Sequence, residues 1–481
     1  MNTYRSTILL LGLLWVLGVQ PVWAATDLRL PDLGGASSGL VSPAEEQELG
    51  QAWLRLYRSQ VPTSSDPFIR DYVEQLLRRL SLHSELEHRN LDLVVAENPT
   101  LNAFAVPGGV IGVNTGIFLF AQSEQQLSSI LAHELAHLSQ RHYARRVEAQ
   151  KNASIPTMAA LLAGMILAAT AGGDAGMAAI TAVQASSIER QLRFSRQMEQ
   201  EADRIGMTTM VEAGMDPYAM AEMFDVMLRA TRYSRRPPAF LLSHPVTENR
   251  IADARLRAER YPKSQHPRDL QFYLIRARVI LAHANNPQQV VRRFMDEMQG
   301  DTLSREAARY GLTLALTKTN DLDKASETLQ PLLEQSPTNP AYIVAAADIE
   351  AARQRFDRAL PILRDALKRT PDSHPLNVRY AEMLMSAGRY SLGESVLEAH
   401  VKRRPKDPYV WYLLAEMYGL AGHIFEVHQT RAEYFILMGL FDKADIQLKN
   451  ALALVDETDE RTRARINERL KDVEELRETR L

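Results

Sequence analysis

The 481-residue sequence contains no cysteine, which excludes disulfide bonds and thiolate metal ligands. It also lacks an excess of either charge, because 56 basic and 59 acidic residues leave a formal net charge of -3. Neither sign gathers in long blocks, so there is no bulk attraction to nucleic acid or to anionic lipid. We therefore expect no nucleic-acid partner.

Long apolar runs are scarce as well. The N-terminus carries Arg5, twelve residues from Ile8 to Val19 that are mostly apolar, and small residues around Ala24. A membrane-spanning helix needs ~20 apolar residues, so this run is short for a span. Residues 1–24 are predicted to be a secretory signal peptide that leaves no transmembrane segment in the mature chain; an uncleaved anchor is the alternative. Export without disulfides suits the periplasm of a Gram-negative bacterium.

Length and composition predict more than one domain, since a single hydrophobic core rarely extends over so many residues. Residues 25–42 are rich in Gly, Ser and Pro, which predicts a loose N-terminal arm. Residues 43–261 mix helical and strand patterns, whereas residues 268–481 alternate helices alone. Residues 262–267 form the predicted linker, so we expect a mainly α-helical protein of two domains.

The first domain has recognisable element boundaries. Strands are predicted over residues 91–96 and 103–113, and residues 107–109 (Pro-Gly-Gly) interrupt the second with a hairpin turn or an edge strand. Ser123 to Gln126 is predicted to form a capping box that opens a long helix. Residues 155–187 are apolar and rich in Ala and Gly, which favours a buried or semi-mobile helical hairpin. A mobile cover over the active site or a membrane-touching element is the alternative.

The second domain contains a repeat. Landmarks recur every 34 residues at Leu322, Phe356, Tyr390 and Ile424, and at Pro337, Pro371 and Pro405. This is the period of the tetratricopeptide repeat, whose helical pairs bury their apolar faces by stacking on their neighbours. The phase slips after Gly422, so we expect irregular last helices and a charged capping helix. Such an array normally binds peptides or partner proteins on a concave surface; alternatively, it only adds bulk.

Two histidines flank a glutamate in the stretch from His133 to His137 (HELAH). On a helix, residues i and i+4 share a face, so His133 and His137 can bind one ion. Zinc suits these ligands and leaves a position for a water whose pKa falls to about 7. Glu134 is then the candidate general base, which takes the proton of this water and delivers it to the leaving amine. The alternative is two histidines that only share a polar helix face.

A third ligand is expected from a later helix, which carries Glu199, Glu201 and Asp203. Glu199 and Asp203 share a face, whereas Glu201 points to the opposite side. Glu199 as the ligand, with Asp203 accepting an imidazole N–H, is the arrangement that geometry favours over Glu201.

Together, H-E-x-x-H and the E-x-x-A-D motif from Glu199 to Asp203 resemble the zinc peptidase family that includes the CAAX prenyl protease and the HtpX membrane protease. The resemblance implies a zincin-type (gluzincin) α+β domain with a small sheet that ends in an edge strand, and one zinc ion per chain. It supports Glu199 as the third ligand. An α-helical tetratricopeptide solenoid would follow this domain.

The resemblance extends to the segment Asn102, Ala103 and Phe104, which is similar to the family's segment next to the edge strand on which substrate is expected to lie extended. Pairing through main-chain atoms tolerates many substrate sequences.

His244-Pro245 and Arg250 resemble the family's H-P-x-x-x-x-R element. The resemblance implies that His244 approaches the zinc ion and takes the water's position, where it would act as a latch, and it marks Arg250 as a possible transition-state residue. The alternatives are a histidine that orders a proline turn and an arginine that packs a helix or lies on the surface.

Together with the predicted export, the resemblance implies a periplasmic zinc metalloendopeptidase that degrades misfolded or stalled outer-membrane proteins and assists the assembly of outer-membrane β-barrels. The implied partners are unfolded outer-membrane proteins and, through the repeat domain, the barrel assembly machinery. The alternative is a client-binding chaperone or scaffold whose protease site is normally latched.

Overall fold

The computed structural model describes residues 42–149, 166, 188–233, 238–263 and 269–478. In the first part of the chain, helices surround one small sheet. The elements are α1 (Pro43–Gln60), α2 (Pro67–Leu82), β1 (Asp92–Ala96), β2 (Ala103–Val106), β3 (Val110–Asn114), α3 (Ile117–Phe120), α4 (Glu124–Ser139), α5 (His142–Ala149), α6 (Ile188–Glu212), α7 (Tyr218–Tyr233), α8 (Ala239–Ser243) and α9 (Glu248–Ala258).

Helix α4 begins where the capping pattern predicts, but only half of the capping box forms. The Ser123 side chain accepts a hydrogen bond from the backbone N–H of Gln126. The Gln126 side chain accepts from the N–H of Gln122 instead of from that of Ser123. The helix start therefore depends on the serine cap, which satisfies one of the free N–H groups of the first turn.

The sheet has the strand order β1-β3-β2, with β1 parallel and β2 antiparallel to β3. Gly108 and Gly109 form the β2–β3 turn with φ angles of 79° and 83°, a conformation that favours glycine. The predicted hairpin is thus confirmed. Strand β2 is at the edge of the sheet and packs beside α4.

An aromatic cluster holds the edge strand from its buried side. The Phe104 ring lies 5.3 Å from that of Trp53 and 5.5 Å from that of Tyr57, both on α1. It also covers Gly112 of β3, where a Cβ atom would lie 1.9 Å from the ring. The absence of a side chain at residue 112 is therefore what admits the ring.

The repeat part begins after residue 268 and consists of paired helices. They are α10 (Leu270–Ala282), α11 (Pro287–Gln299), α12 (Arg305–Lys318), α13 (Leu322–Gln335), α14 (Pro340–Ala352), α15 (Phe356–Arg369), α16 (His374–Ser386), α17 (Tyr390–Arg403), α18 (Pro408–Ala421), α19 (Ile424–Leu437), α20 (Phe441–Ala453) and α21 (Glu460–Glu478).

The landmarks of the 34-residue period mark helix starts. Leu322, Phe356, Tyr390 and Ile424 are the first residues of α13, α15, α17 and α19. The phase slip is also present, because α20 begins at Phe441, half a period after Ile424. The predicted mainly helical architecture, a peptidase-like domain with a small sheet followed by tetratricopeptide-like helices, is confirmed.

The repeats pack against the first domain at the start of α2, at its middle and at the start of β1. Near the start of the array, Arg278 of α10 contacts Asp66, the N-cap of α2, at 2.7 Å. Farther along, Arg404 donates to Glu74 at 2.8 Å and Lys406 contacts Asp92 at 2.9 Å. One apolar core continues from α2 across α10 into the repeats, so the array is joined to the first domain by buried surface and by charge.

Several predictions concern residues outside the ranges that the structure describes. The signal peptide (residues 1–24), nearly all of the N-terminal arm, most of the linker and nearly all of residues 155–187 lie outside the described residues. Within 155–187, Ile166 is described; it is helical and buried in the cluster that contains Trp53 and Phe104. Among the described helices, none has both the length and the apolar character that a membrane span requires.

We expect Gly112→Ala to displace Phe104 and to loosen β2, because the new methyl group would overlap the ring. The expected cost is about 1–3 kcal/mol of unfolding free energy, measured by chemical denaturation. Gly419→Ala is the matched control: its Cβ would meet only Val427 at 3.8 Å, and alanine favours a helix. Equal unfolding midpoints for the two variants would contradict this account of the edge strand.

Candidate metal centre

Two crossing helices bring the predicted ligands together. Helix α4 carries His133, Glu134 and His137, and α6 carries Glu199. The helices touch at Gly206, where a Cβ atom would lie 3.0 Å from the backbone nitrogen of His133. A side chain at residue 206 would hold α6 away from α4, so this glycine sets how closely Glu199 approaches the histidines.

The three predicted ligands converge on one point. The Nε2 atoms of His133 and His137 lie 3.0 Å apart, and each lies 3.4 Å from an oxygen of Glu199. Tetrahedral zinc, with bonds of about 2.0–2.1 Å, would place neighbouring ligand atoms about 3.3 Å apart. With His244 as a fourth member, one ligand atom from each residue lies within 4.8 Å of the others.

Asp203 and Arg250 support the first histidine from behind. The Nδ1 atom of His133 lies 3.0 Å from an Asp203 oxygen, and the Arg250 guanidinium donates to both oxygens of Asp203 at 2.7 and 2.6 Å. The same guanidinium lies 3.1 Å from Glu199. Arg250 is only 7% exposed, so it is a buried partner of two carboxylates and not a surface residue.

His142 and Glu201 support the second histidine, His137. The sequence did not predict this support. The Nδ1 atoms of His137 and His142 lie 2.8 Å apart, and His142 Nε2 lies 3.2 Å from Glu201. Arg145 donates to the same Glu201 oxygen at 2.8 Å. Glu201 lies outside the ligand cluster and contacts it through His142. The available signal was a third histidine five residues after His137.

The buried charges at this site favour a cation. Burial alone would lower the pKa of His133, but its interactions with Asp203 and Glu199 raise that pKa to about 10. Burial would raise the pKa of Glu199, but the charge of His244 and hydrogen bonds from the histidines hold it well below its usual value. The carboxylates that stabilise a proton on His133 would also stabilise a metal cation among these groups, because charges are little screened away from water. The donor set therefore fits a divalent metal ion.

His244 reaches the same point from the segment between α8 and α9. Its Nδ1 atom lies 3.0 Å from Glu199 and 3.4 Å from His133 Nε2, and its Nε2 atom lies 3.5 Å from Glu134. The ring packs against Phe240, whose centroid is 4.7 Å away. The histidine is thus placed among the ligands, and it does more than order a proline turn.

Glu134 is 1% exposed, and burial raises the pKa of its carboxyl group. The charges of His244 and His133, together with the main chain of Ala105, act in the opposite direction. Its Oε1 atom has no hydrogen-bond partner among the described residues. This oxygen is therefore a buried acceptor without a hydrogen bond within the described ranges, 3.5 Å from His244 Nε2 at the edge of the ligand cluster.

The segment predicted to bind substrate, residues 102–104, lies near Glu134. It is the main chain of this strand, and not its side chains, that approaches the carboxylate. Ala103 and Phe104 are buried, and the Asn102 carbonyl accepts from the N–H of Asn114. Ala105, one residue farther along β2, is the residue whose main chain approaches Glu134. The edge strand thus runs past the candidate base, with Ala103 and Phe104 buried in two different core clusters.

Comparison with known proteins agrees with this geometry. The sequence matches Peptidase family M48 over residues 68–258. The β-barrel assembly-enhancing protease of Escherichia coli (strain K12) is 33% identical over 439 residues, which cover 91% of this chain and 90% of that protein. The chain belongs to peptidase family M48. As an M48 metallopeptidase it is an enzyme that uses a metal ion to cleave peptide bonds.

Other comparisons extend over different parts of this M48 peptidase. The putative β-barrel assembly-enhancing protease of Vibrio cholerae is 33% identical over 427 residues, or 88% of each chain. The mitochondrial metalloendopeptidase OMA1 of Schizosaccharomyces pombe is 32% identical over 180 residues, 37% of this chain and 50% of that protein. Residues 310–374 and 350–417 match the tetratricopeptide repeat. The family resemblance predicted from the two motifs is confirmed.

We expect His142→Ala to weaken metal binding about 10- to 100-fold, because it removes the group that faces His137 Nδ1. Affinity is measured by competition with a chromophoric chelator and needs no activity assay. Glu201→Gln should change affinity in the same direction, whereas Glu212→Gln, at an exposed position on the same helix, should leave it unchanged. Unaltered affinity in His142→Ala would show that the contact does not orient the ligand.

Proposed function

We propose that this M48 peptidase is an exported zinc endopeptidase of the periplasm, and that it degrades misfolded or stalled outer-membrane proteins. The observation that carries the proposal is the convergence of His133, His137 and Glu199, next to a buried Glu134, in a chain that is similar over 91% of its length to a β-barrel assembly-enhancing protease. The predicted signal peptide supports the compartment.

His133, His137 and Glu199 would hold the zinc ion, which, when bound, supplies Lewis acidity to the peptide carbonyl. Side chains of the protein would transfer the protons and orient the ligands. Glu134 has a buried oxygen without a hydrogen bond among the described residues and a raised pKa, which suit a group that takes a proton from the attacking water and passes it to the leaving amine. Asp203 and Arg250 would keep the His133 ring in one orientation.

Substrate would bind to β2 by adding a strand. The main chain of an extended client would pair with the edge of β2 near Asn102, Ala103 and Phe104, which brings one peptide bond past Glu134. Unfolded chains can take this conformation and folded ones cannot, because their backbone groups are already paired. The edge strand therefore favours misfolded or stalled clients without a strict sequence preference.

Glu134→Gln should lower client cleavage by on the order of 100-fold or more, since it removes the proton acceptor but keeps the size of the side chain. The test compares initial rates on an unfolded outer-membrane protein. Zinc content, measured on the same samples, should not change, because Glu134 is not a proposed ligand. Full cleavage by this variant would end the proposed catalytic role, and a lack of zinc in the wild type would end the proposed cofactor.

A second function, a client-binding chaperone with a latched site, is favoured by the position of His244. Its Nδ1 atom is 3.0 Å from Glu199, where it would compete with substrate and water for the fourth position. Both functions are compatible if the latch opens only for some clients.

His244→Ala should raise kcat/KM for an unfolded client on the order of tenfold, because a hydrogen bond to a charged group no longer holds the closed state. The control is Ser243→Ala, which removes an exposed hydroxyl that bonds to the carbonyl of Phe240. Equal cleavage by His244→Ala would end the proposed latch, and lower cleavage would instead assign this histidine to the reaction.

The repeat array is the proposed docking surface for clients and for the barrel assembly machinery. This proposal is supported by the tetratricopeptide match and by the relatives, which are named for enhancing β-barrel assembly. Tetratricopeptide arrays use a concave surface of this kind to bind peptides and partner proteins.

A further inference from the structure

A second cavity, separate from the metal centre, lies where the two domains meet. Its volume is about 330 Å³, and it is bounded by the end of α1, the middle of α2, the start of β1 and Lys406 of the repeats. None of the proposed ligands or catalytic groups lines it. Five of its side chains are basic and two, Glu74 and Asp92, are acidic; the basic ones are Arg58, Arg70, Arg78, Arg89 and Lys406.

Both acidic side chains already have partners. Glu74 pairs with Arg70 at 2.9 Å and accepts from Arg404 at 2.8 Å. Asp92 accepts from Lys406 at 2.9 Å and from the Gln51 amide at 2.6 Å. The two acids thus balance Arg70 and Lys406 of the cavity wall, and among the described residues no ion pair joins the remaining basic side chains, Arg58, Arg78 and Arg89, to an acid.

Arg58, in the last turn of α1, is 6% exposed, and no hydrogen bond or ion pair joins it to another residue of the described ranges. Burial, and then the charge of Arg70, lower its pKa to about 10, although Asp92 and Asp407 act against this. The side chain remains charged at neutral pH. A buried cation without a direct partner is costly, and a ligand of opposite charge would remove that cost.

We propose that this cavity binds a phosphate monoester, with the Arg58 guanidinium at its base. A dianionic phosphate offers several oxygens to the planar donors of arginine, which bind phosphate in pairs of hydrogen bonds. Exposed Arg78 and Arg89 stand at the rim.

The ligand carries an organic group as well as the phosphate. The cavity is in the size range of small-molecule pockets, and Leu77, Leu91 and Leu93 add apolar wall. A glycerol phosphate or a sugar phosphate has this composition, and so does the headgroup region of a phosphatidic acid lipid.

A ligand in this position would connect the two domains. Arg58 and Arg70 belong to the peptidase domain, and Lys406 belongs to the repeats. An anion held by Arg58 beside the Lys406–Asp92 contact would add an attraction to the existing ion pairs, so its binding would tighten the contact between the array and the peptidase.

The test is a calorimetric titration of the full protein with glycerol 3-phosphate, and with inorganic phosphate as a second probe. The wild type should bind glycerol 3-phosphate, and Arg58→Gln should weaken binding about tenfold or more. Because removal of a buried arginine can disturb folding, Arg89→Gln at the exposed rim provides a second variant that should also bind more weakly. Arg364→Gln, exposed on α15, should bind as the wild type does.

Three outcomes would overturn the proposal: no binding by the wild type, equal affinity in Arg58→Gln and the wild type, or binding of uncharged glycerol as tight as that of glycerol 3-phosphate. Cosedimentation with phosphatidic acid vesicles, compared with phosphatidylcholine vesicles, distinguishes the sources. Arg58-dependent sedimentation would assign the site to a lipid headgroup. Binding of the soluble ester alone would assign it to a free metabolite.

Discussion

The convergence of His133 Nε2, His137 Nε2 and Glu199 within 3.0–3.4 Å is the contact on which the rest of the peptidase domain depends. Three groups that each prefer water or a cation are packed where there is little water, so their arrangement needs support from every side. Gly206 lets α4 and α6 approach closely enough for the contact to form. The buried carboxylate of Glu199 beside two imidazole nitrogens is what makes the cluster a receptor for a positive ion.

Each histidine has its own support. Asp203 contacts His133 and accepts hydrogen bonds from Arg250. His142 contacts His137 and, through its other ring nitrogen, Glu201. Arg250 also donates to the carbonyl of Pro245 at 2.8 Å, so the segment that carries His244 is tied to the partner of a ligand. The position of His244 is therefore coupled, through Arg250 and Asp203, to the orientation of the His133 ring.

The sequence predicted the parts of the site that depend on one helix. His133 and His137 share a face because of the helical period, and Glu199 and Asp203 do so for the same reason. Helix starts at Leu322 and Ile424 followed from the repeat period in the same way. His142 was missed because its contact depends on the turn between α4 and α5, where Arg141 takes a positive φ of 49° and sends the chain back across His137. No local pattern specifies such a reversal, nor does any specify which repeat charges would meet Glu74 and Asp92.

Helix α2 links the repeat array to the catalytic helix. On one side, Arg70 and Glu74 contact Asp407 and Arg404 of the repeats. On another, Tyr72 donates at 2.7 Å to Glu124, the first residue of α4, and Arg79 pairs with the same carboxylate. A shift of the array relative to the peptidase must either break the first set of contacts or move α2. If α2 moves, the second set transmits the movement to the start of the helix that carries His133, Glu134 and His137. The position of the array and the geometry of the metal centre are thus connected through α2, which lies beside the proposed phosphate cavity.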